Sequence, residues 1–165
     1  RRRHTRYISV TGVQTCALPI CGANQYQYIT FGGSVGGTDY GWQVGRSSNS
    51  SGLGGDGAFY FYDIKANATR MSIDSSGNLG LGVTPSAWSS NYRALQVGAR
   101  AVLTQGSSDT YLGNNWYNDG TNKYLQTAAA SLYGQVAGAH QWLTAASGTA
   151  GNAISFTQEI GRAHV

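Results

Sequence analysis

Charged residues are scarce in this chain, and long apolar runs are absent. Asp, Glu, Lys and Arg make up 11% of the 165 residues, against about 25% in ordinary domains. A membrane-spanning helix needs roughly 20 consecutive apolar residues, so we expect no insertion into a membrane. The absence of a long apolar run favours a soluble protein, or part of a soluble assembly, and the low charge with frequent aromatics favours β structure.

Residues that commonly carry acid–base catalysis are few as well. The chain has one glutamate, Glu159, and three histidines. A hydrolase needs a nucleophile with its base, or a pair of carboxylates. Asp56, Asp63 and Asp74 could include a glycosidase pair, but a glycine-rich loop explains Asp56 and a turn explains Asp74. We therefore predict no catalytic residues and no enzyme activity.

The two ends of the chain have an unusual sequence. Residues 10–20, Val-Thr-Gly-Val-Gln-Thr-Cys-Ala-Leu-Pro-Ile, resemble a conceptual translation of the reverse complement of a common short-read sequencing adapter. Residues 160–165, Ile-Gly-Arg-Ala-His-Val, resemble the same adapter read forward. The basic start followed by a mildly apolar stretch also imitates a secretory signal. We expect residues 1–21 and 159–165 to derive from adapter, and 22–158 to be an internal fragment of a longer gene.

Excluding the two ends changes what the charge and the cysteines imply. Five of the 11 Lys and Arg lie in the ends, which leaves six against six Asp in residues 22–158, although the whole chain has a formal net charge of +4. A nucleic-acid partner therefore has no support. Cys16 and Cys21 also fall in the ends, so neither a disulfide nor a metal site is predicted. Residues 74–78 are similar to a calcium loop but lack its closing glutamate, and no cofactor is predicted.

Glycine and aromatic residues are prominent between the ends. Residues 22–158 hold 22 of the 24 glycines, and apolar residues alternate with polar ones in short segments bounded by turn residues. The pattern predicts an all-β fold of short strands and hairpins, with hairpin turns at 74–77 and 119–120 and mostly loop at 32–57. The predicted strands are 25–31, 58–64, 71–73, 79–83, 95–97, 102–103, 116–117, 124–125, 132–136, 140–143 and 153–156.

One segment and three later phrases resemble a known family. Residues 71–85 are Met-Ser-Ile-Asp-Ser-Ser-Gly-Asn-Leu-Gly-Leu-Gly-Val-Thr-Pro. They resemble the Asp-(Ser/Ala)-Ser-Gly-Asn-(apolar)-Gly-(apolar)-Gly repeat of tail fibre proteins from tailed bacteriophages and prophages. Residues 92–98, 112–120 and 147–158 are similar to phrases that follow this repeat in such fibres. The resemblance covers about 69–158.

The resemblance implies both an organisation and a function. It divides the chain into a segment rich in Gly, Ser and aromatics (22–68), a repeat hairpin with its linker (69–91) and a β-rich fibre segment (92–158). The expected function is that of a structural segment of a phage or prophage tail fibre, involved in attaching the virion to the bacterial host surface. Such a protein is made in the bacterial cytoplasm and located in the virion. Its expected partner is itself, as an elongated, intertwined homotrimer.

The repeat also has a physical interpretation of its own. In residues 79–83 the apolar side chains share one face, while glycines leave the other face bare, so another backbone can approach closely. That pattern suits interwound chains that share an apolar core, and a single-chain sheet with a glycine bulge is the alternative. We expect the isolated chain to aggregate or stay unfolded unless it is fused to a trimerisation domain.

Four aromatic side chains are candidate contacts for a host surface glycan: Trp116, Tyr117, Tyr133 and Trp142. Their rings combine a flat apolar face with a polar group. The alternative is that they fill a core or stack across strands. His140 is expected to be packed and hydrogen-bonded rather than a ligand or a pH switch. A carbohydrate-binding module that acts as a monomeric lectin is therefore the second functional hypothesis.

Overall fold

The computed structural model describes residues 27–35, 38–48 and 57–159. In these ranges the chain is all-β, as the alternation predicts, with 13 strands and no helix. The strands are β1 (Gln27–Val35), β2 (Thr38–Arg46), β3 (Phe59–Asp63), β4 (Ala68–Ile73), β5 (Leu79–Leu81), β6 (Arg93–Val97), β7 (Ala101–Gln105), β8 (Thr110–Asn114), β9 (Trp116–Asn118), β10 (Asn122–Tyr124), β11 (Ala128–Val136), β12 (Ala139–Gly148) and β13 (Thr157–Glu159). The segments 1–21 and 160–165, predicted to derive from adapter, lie outside these ranges. Glu159, the first residue of the predicted adapter segment 159–165, lies within the described ranges and is the last residue of β13.

Eleven of the strands form a single sheet that follows the chain order closely. The order is β1-β2-β3-β4-β5-β6-β7-β8-β11-β12-β13, and the remaining strands, β9 and β10, form a separate hairpin. Every pairing in the large sheet is antiparallel except that of β5 with β6. A parallel pair needs a crossover connection, and residues 82–92 provide it. The sheet therefore grows mainly by adding each strand beside its predecessor.

The hydrophobic core lies on one face of the sheet. It is built from sheet residues and from residues of the crossover, the β9–β10 hairpin and the segment before β13. Its buried members are Trp88, Ala94, Val102, Trp116, Tyr124, Ala130, Leu132 and Ile154. The Trp88 and Trp116 rings meet edge to face with their centroids 5.4 Å apart, a favoured aromatic geometry. The crossover and the hairpin thus cover the sheet from one side.

Both predicted hairpin turns are confirmed. Around residues 74–77, Met71 pairs with Leu81 and Ile73 with Leu79. Around 119–120, Trp116 pairs with Tyr124, and Gly120 has the positive φ, 118°, that favours glycine. The chain reverses where glycine and aspartate allow it.

The prediction that residues 32–57 are mostly loop is wrong for the part that the structure describes. β1 continues to Val35, and β2 is a nine-residue strand. Gly32 and Gly41 are paired across the two strands, and a Cβ on Gly32 would lie 2.1 Å from the carbonyl oxygen of Tyr40. The glycines here allow two strands to approach closely, so they support the ladder. The remainder, 49–56, lies outside the described ranges.

Other predicted strands need smaller corrections. Thr110–Asn114 forms β8, which the alternation did not predict because Leu112 is its only aliphatic residue. Residues 153–156 make only an isolated bridge, between Lys123 and Ala153, and the following strand is β13. β5 ends at Leu81, so Val83 belongs to the crossover.

Candidate interaction surface

The face of the sheet opposite the core carries large apolar side chains, and we call it the open face. Alternate residues of a strand point to opposite faces, and the strand registers align those of the open face into two rows. The first row contains Phe59, Ile73, Leu79, Leu95, Leu103, Leu112, Tyr133 and Trp142. The second contains Phe61, Met71, Leu81, Val97, Ala101, Asn114, Ser131 and Thr144.

Exposure alternates along these strands. In β7, Val102 is 1% exposed whereas its neighbour Leu103, on the open face, is 48% exposed. Leu112 in β8 is 59% exposed. Among the described residues on the other side of the same sheet, Tyr60, Ser72, Gln96 and Leu132 are buried. One face of the sheet is thus covered, and the other leaves its apolar residues in contact with solvent.

The open face has no charged side chain in either row between β3 and β12. Its character changes along the sheet. From β3 to β7 the rows are entirely apolar, whereas the second row then continues through Asn114, Ser131 and Thr144. Beside these polar residues the first row carries the rings of Tyr133 and Trp142. The open face therefore has an apolar part, the two rows on β3–β7, which Arg46 of β2 borders beside Phe59, and an aromatic and polar part, β8–β12.

The structure divides the four predicted glycan-contact residues into two pairs. Trp116 and Tyr117 lie on the β9–β10 hairpin. Trp116 is 1% exposed, and its Nε1–H donates to Asn122 Oδ1 at 2.9 Å. Tyr117 is half-buried with its ring centroid 6.3 Å from that of Trp88. This pair follows the alternative of core packing, and Trp116 offers almost no surface to a ligand.

Tyr133 and Trp142 face each other across β11 and β12. Their ring centroids are 4.4 Å apart, and Trp142 is 54% exposed. The His140 ring also stacks with that of Tyr133, and its Nδ1 lies 2.5 Å from the Tyr133 hydroxyl. His140 is hydrogen-bonded and ring-packed, as expected. Of the predicted rings, this pair presents an aromatic surface to solvent.

The repeat motif works as a clip that joins three strands. Asp74 Oδ1 accepts hydrogen bonds from the backbone N–H groups of Ser76 and Asn78, at 2.9 and 2.8 Å. Asn78 is 1% exposed, its Nδ2 donates to Asp74 Oδ2, and its Oδ1 accepts from the N–H of Ala94 in β6. The motif marks Asn78 as a turn residue in the sequence. Its hydrogen bond with Ala94 of β6 forms only when the fold brings the two residues together. The Asp-Ser-Ser-Gly-Asn turn therefore fixes β6 beside the β4–β5 hairpin.

The glycine of the following Leu-Gly-Leu segment is approached by its own chain. A Cβ on Gly80 would lie 2.1 Å from the carbonyl oxygen of Val83 and 2.9 Å from Cδ of Pro85. The apolar Leu79 and Leu81 share the open face, as predicted. In the described chain, however, the backbone that packs against the glycine side comes from the crossover. The close approach predicted for that side is thus met within one chain.

The carboxylates considered for catalysis have structural partners. Asp63 accepts hydrogen bonds from the Ala66 N–H and from the Arg70 guanidinium, which lower the pKa of its carboxyl. Asp74 is used in the clip described above, and Asp56 lies outside the described ranges. Within the described ranges, no group of three His, Cys, Asp or Glu side chains is arranged to hold a metal ion. No helix suited to crossing a membrane occurs in that part of the chain.

Comparisons of the chain with protein-family models, with curated proteins and with solved structures find no match. The repeat and the surface geometry are therefore the features that bear on function. The open face is the surface that a partner or ligand could cover.

Proposed function

We propose that the chain is a structural segment of a phage or prophage tail fibre, which takes part in attaching the virion to the bacterial host surface. In this proposal the apolar part of the open face packs against the same face of other copies, and three copies form the fibre. The observation that carries the proposal is the apolar part of the open face, whose two rows on β3–β7 contain no charged side chain. The tail fibre resemblance of residues 71–85 supplies the family and the number of copies.

The size of the apolar part supports an interaction role. Five strands spaced about 4.8 Å apart cover about 24 Å, and two same-face residues on each strand cover about 14 Å. The apolar part is therefore on the order of 300 Å², the size of the largest apolar patch on a typical soluble monomer, and such patches are often functional. Leu103, Val97 and Phe59 are each more than 40% exposed, so their burial by a partner would stabilise an assembly.

The absence of charge supports a copy of the chain as the partner. Where copies meet around a symmetry axis, a charge close to the axis lies near its own copy, which destabilises the contact. Between β3 and β7 the two rows contain no charge, and Arg93 of β6 lies beside them, so copies that meet along the rows avoid this cost. The rows run perpendicular to the strands. Copies that pack along the rows would therefore share an axis perpendicular to the strands. A sheet with more strands would then give a longer assembly, as a fibre requires.

A carbohydrate-binding module acting as a monomeric lectin is the second candidate. The exposed Trp142, beside Tyr133, favours it. The two candidates differ in oligomeric state. A monomeric lectin would leave the apolar part of the open face in water, whereas the fibre segment would bury it.

The test is the mass of the assembly after a trimerisation tag has been cleaved from the chain. We expect light scattering to give three times the 17.4 kDa of one chain, in an elongated trimer that resists detergent. Leu103→Lys places a charge on the open face and should dissociate the trimer. Ser107→Lys adds the same charge at an exposed loop position and should leave the trimer intact. A compact monomer of the parent chain after cleavage would overturn the proposal.

A further inference from the structure

A groove lies on the open face where the apolar rows end. It has a volume of about 340 Å³, and the side chains that shape it are Leu112, Asn114, Ser131, Tyr133, Trp142 and Thr144. Sites for small molecules typically have volumes of about 300–1,000 Å³. The groove is thus large enough for one small ligand. It lies beyond β7, outside the surface proposed above to meet other copies.

We propose that this groove binds a neutral sugar ring, with Trp142 as the stacking platform. The inference rests on the carbohydrate-binding role weighed above and deepens it, because it names the groove and the class of sugar and requires no monomer. An indole ring presents a flat apolar face and an N–H donor, which suit the C–H face and the hydroxyl groups of a pyranose. With 54% of Trp142 exposed, that face is open to solvent.

The platform is held in place before a ligand arrives. The Tyr133 ring supports Trp142 at a centroid distance of 4.4 Å, and His140 stacks on Tyr133 at 5.8 Å. The hydrogen bond between the Tyr133 hydroxyl and His140 Nδ1 fixes the orientation of the Tyr133 ring. All three side chains lie on the paired strands β11 and β12, with Tyr133 opposite Trp142. A ring fixed in this way loses little conformational entropy on binding.

Uncharged hydrogen-bonding groups lie along one side of the rings. The strand register places Asn114 opposite Ser131, and Ser131 opposite Thr144. An amide and two hydroxyl groups can both donate and accept hydrogen bonds, as the hydroxyls of a sugar do. The Thr144 hydroxyl already donates to Glu159 Oε1 at 2.8 Å, so its oxygen is left to accept.

The charge around the groove selects against acidic sugars. No Lys, Arg or His lines it, so there is no cation for a carboxylate, sulfate or phosphate. The carboxylate of Glu159 lies beside the groove, because its Oε1 accepts the hydrogen bond from the Thr144 hydroxyl. An anionic ligand would be repelled there. The groove therefore fits a neutral pyranose.

A second exposed tryptophan provides a matched control. Trp42 in β2 is 45% exposed, close to the value for Trp142. Like Trp142, it has an aromatic residue on one neighbouring strand and a carboxylate on the other, Phe31 and Asp63. The adjacent row differs, because it holds Ile29, Val44 and Phe61 in place of the amide and hydroxyl groups. If any exposed tryptophan bound sugars, the indole signals of Trp42 and Trp142 would both shift when a glycoside is added.

The test is titration of the full chain, folded as a fusion with the trimerisation tag, with methyl glycosides of glucose, galactose, rhamnose and N-acetylglucosamine. The indole N–H signals in NMR locate the binding, and calorimetry gives the affinity of the parent chain and of each variant. We expect at least one neutral glycoside to shift the Trp142 signal. Trp142→Ala should weaken its binding at least tenfold, Trp142→Tyr should retain part of it, and Trp42→Ala should not change it. Glucuronic acid should bind at least tenfold more weakly than the neutral glycoside. Circular dichroism checks that the variants are folded.

Three results would overturn the inference. No neutral glycoside shifts the Trp142 signal, or Trp42→Ala weakens binding as much as Trp142→Ala, or glucuronic acid binds as well as the neutral sugars. The mass of the same samples after cleavage of the tag separates this inference from the fibre proposal. A trimer that binds no sugar would support the fibre proposal and overturn the sugar-binding groove. A monomer that binds sugar through Trp142 would support the groove and overturn the fibre proposal.

Discussion

At the scale of single residues, the phenol of Tyr111 makes the stability of the core depend on pH. Its ring packs against Trp116 with a centroid distance of 5.5 Å, and its hydroxyl donates to Asp109 Oδ2 at 3.1 Å. Burial raises the pKa of Tyr111, and the hydrogen bond to Asp109 and the charge of that carboxylate raise it further, to about 12. The folded protein therefore favours the neutral phenol at a pH where a free tyrosine would begin to ionise.

This shift predicts a loss of stability in alkaline solution. The folded pKa is raised above the ordinary value of 10.0, so the stabilisation is fully present below pH 10 and is lost as the pH rises towards 12. We expect the free energy of unfolding, from denaturant titrations at a series of pH values, to fall in that window. Tyr111→Phe should flatten the fall and cost about 0.5–1.5 kcal/mol at neutral pH through the lost hydrogen bond.

Asp109→Asn tests the cause of the shift. Without the carboxylate charge, the pKa of Tyr111 should lie nearer its ordinary value, so the pH window should become narrower. A stability profile in which neither variant differs from the parent between pH 10 and 12 would show that Tyr111 does not carry the dependence.

At the scale of elements, the β4–β5 hairpin and the crossover depend on Gly80. The crossover returns over the hairpin so closely that no side chain fits at this position, and the N–H of Gly82 donates to the carbonyl of Arg70 at 2.8 Å. Gly82, with φ 66°, makes the bend that starts the crossover. The parallel pairing of β5 with β6 depends on this return.

We expect Gly80→Ala to destabilise the protein by about 1–3 kcal/mol, the usual cost of overpacking. The new Cβ would be 2.1 Å from the Val83 carbonyl oxygen, so the backbone of the crossover must move. Gly33→Ala in β1 is the matched control, because its Cβ would meet nothing within 4 Å. We expect it to change stability by less than about 0.5 kcal/mol. Equal shifts of the denaturation midpoint in the two variants would contradict the close packing at Gly80.

The elements that the sequence predicted correctly are those whose signals are local. The Asp74 turn, the Asp119–Gly120 turn and the alternation of Leu79 and Leu81 are contained in a few adjacent residues. Asn115 shows why the rest was missed. The two N–H groups of its Nδ2 are shared among three carbonyl groups 11–14 residues later, the side chain is fully buried, and its φ is 61°. Only the fold brings these partners together.

The candidate surface was predicted less well than the fold. Trp116 and Trp142 have similar surroundings in the sequence, since each has a polar residue before it and no charge beside it. The fold nevertheless places Trp116 in the core and Trp142 on the open face. The difference arises because the β9–β10 hairpin folds over the sheet while β12 lies within it. Burial of a single aromatic side chain depends on that arrangement, which no local pattern specifies.

At the scale of the whole molecule, the sheet divides the apolar residues between two faces. One face is covered by the chain itself, with Trp88, Trp116 and Tyr124 in the core. The other carries Phe59, Leu103 and further apolar side chains that this chain leaves exposed. A single chain therefore obtains hydrophobic stabilisation from only one face. If copies bury the open face, folding and association become linked.

This linkage predicts that the thermal midpoint depends on protein concentration. A partner that binds only the folded chain stabilises it by mass action, so dilution should favour unfolding. After cleavage of the trimerisation tag, we expect the midpoint to fall measurably for each tenfold dilution, as followed by circular dichroism. Leu103→Lys should remove the dependence, because it charges the open face without entering the core, and Ser107→Lys should preserve it. A midpoint for the parent chain that stays constant on dilution, in a folded and monodisperse sample, would show that one covered face is enough to hold the fold.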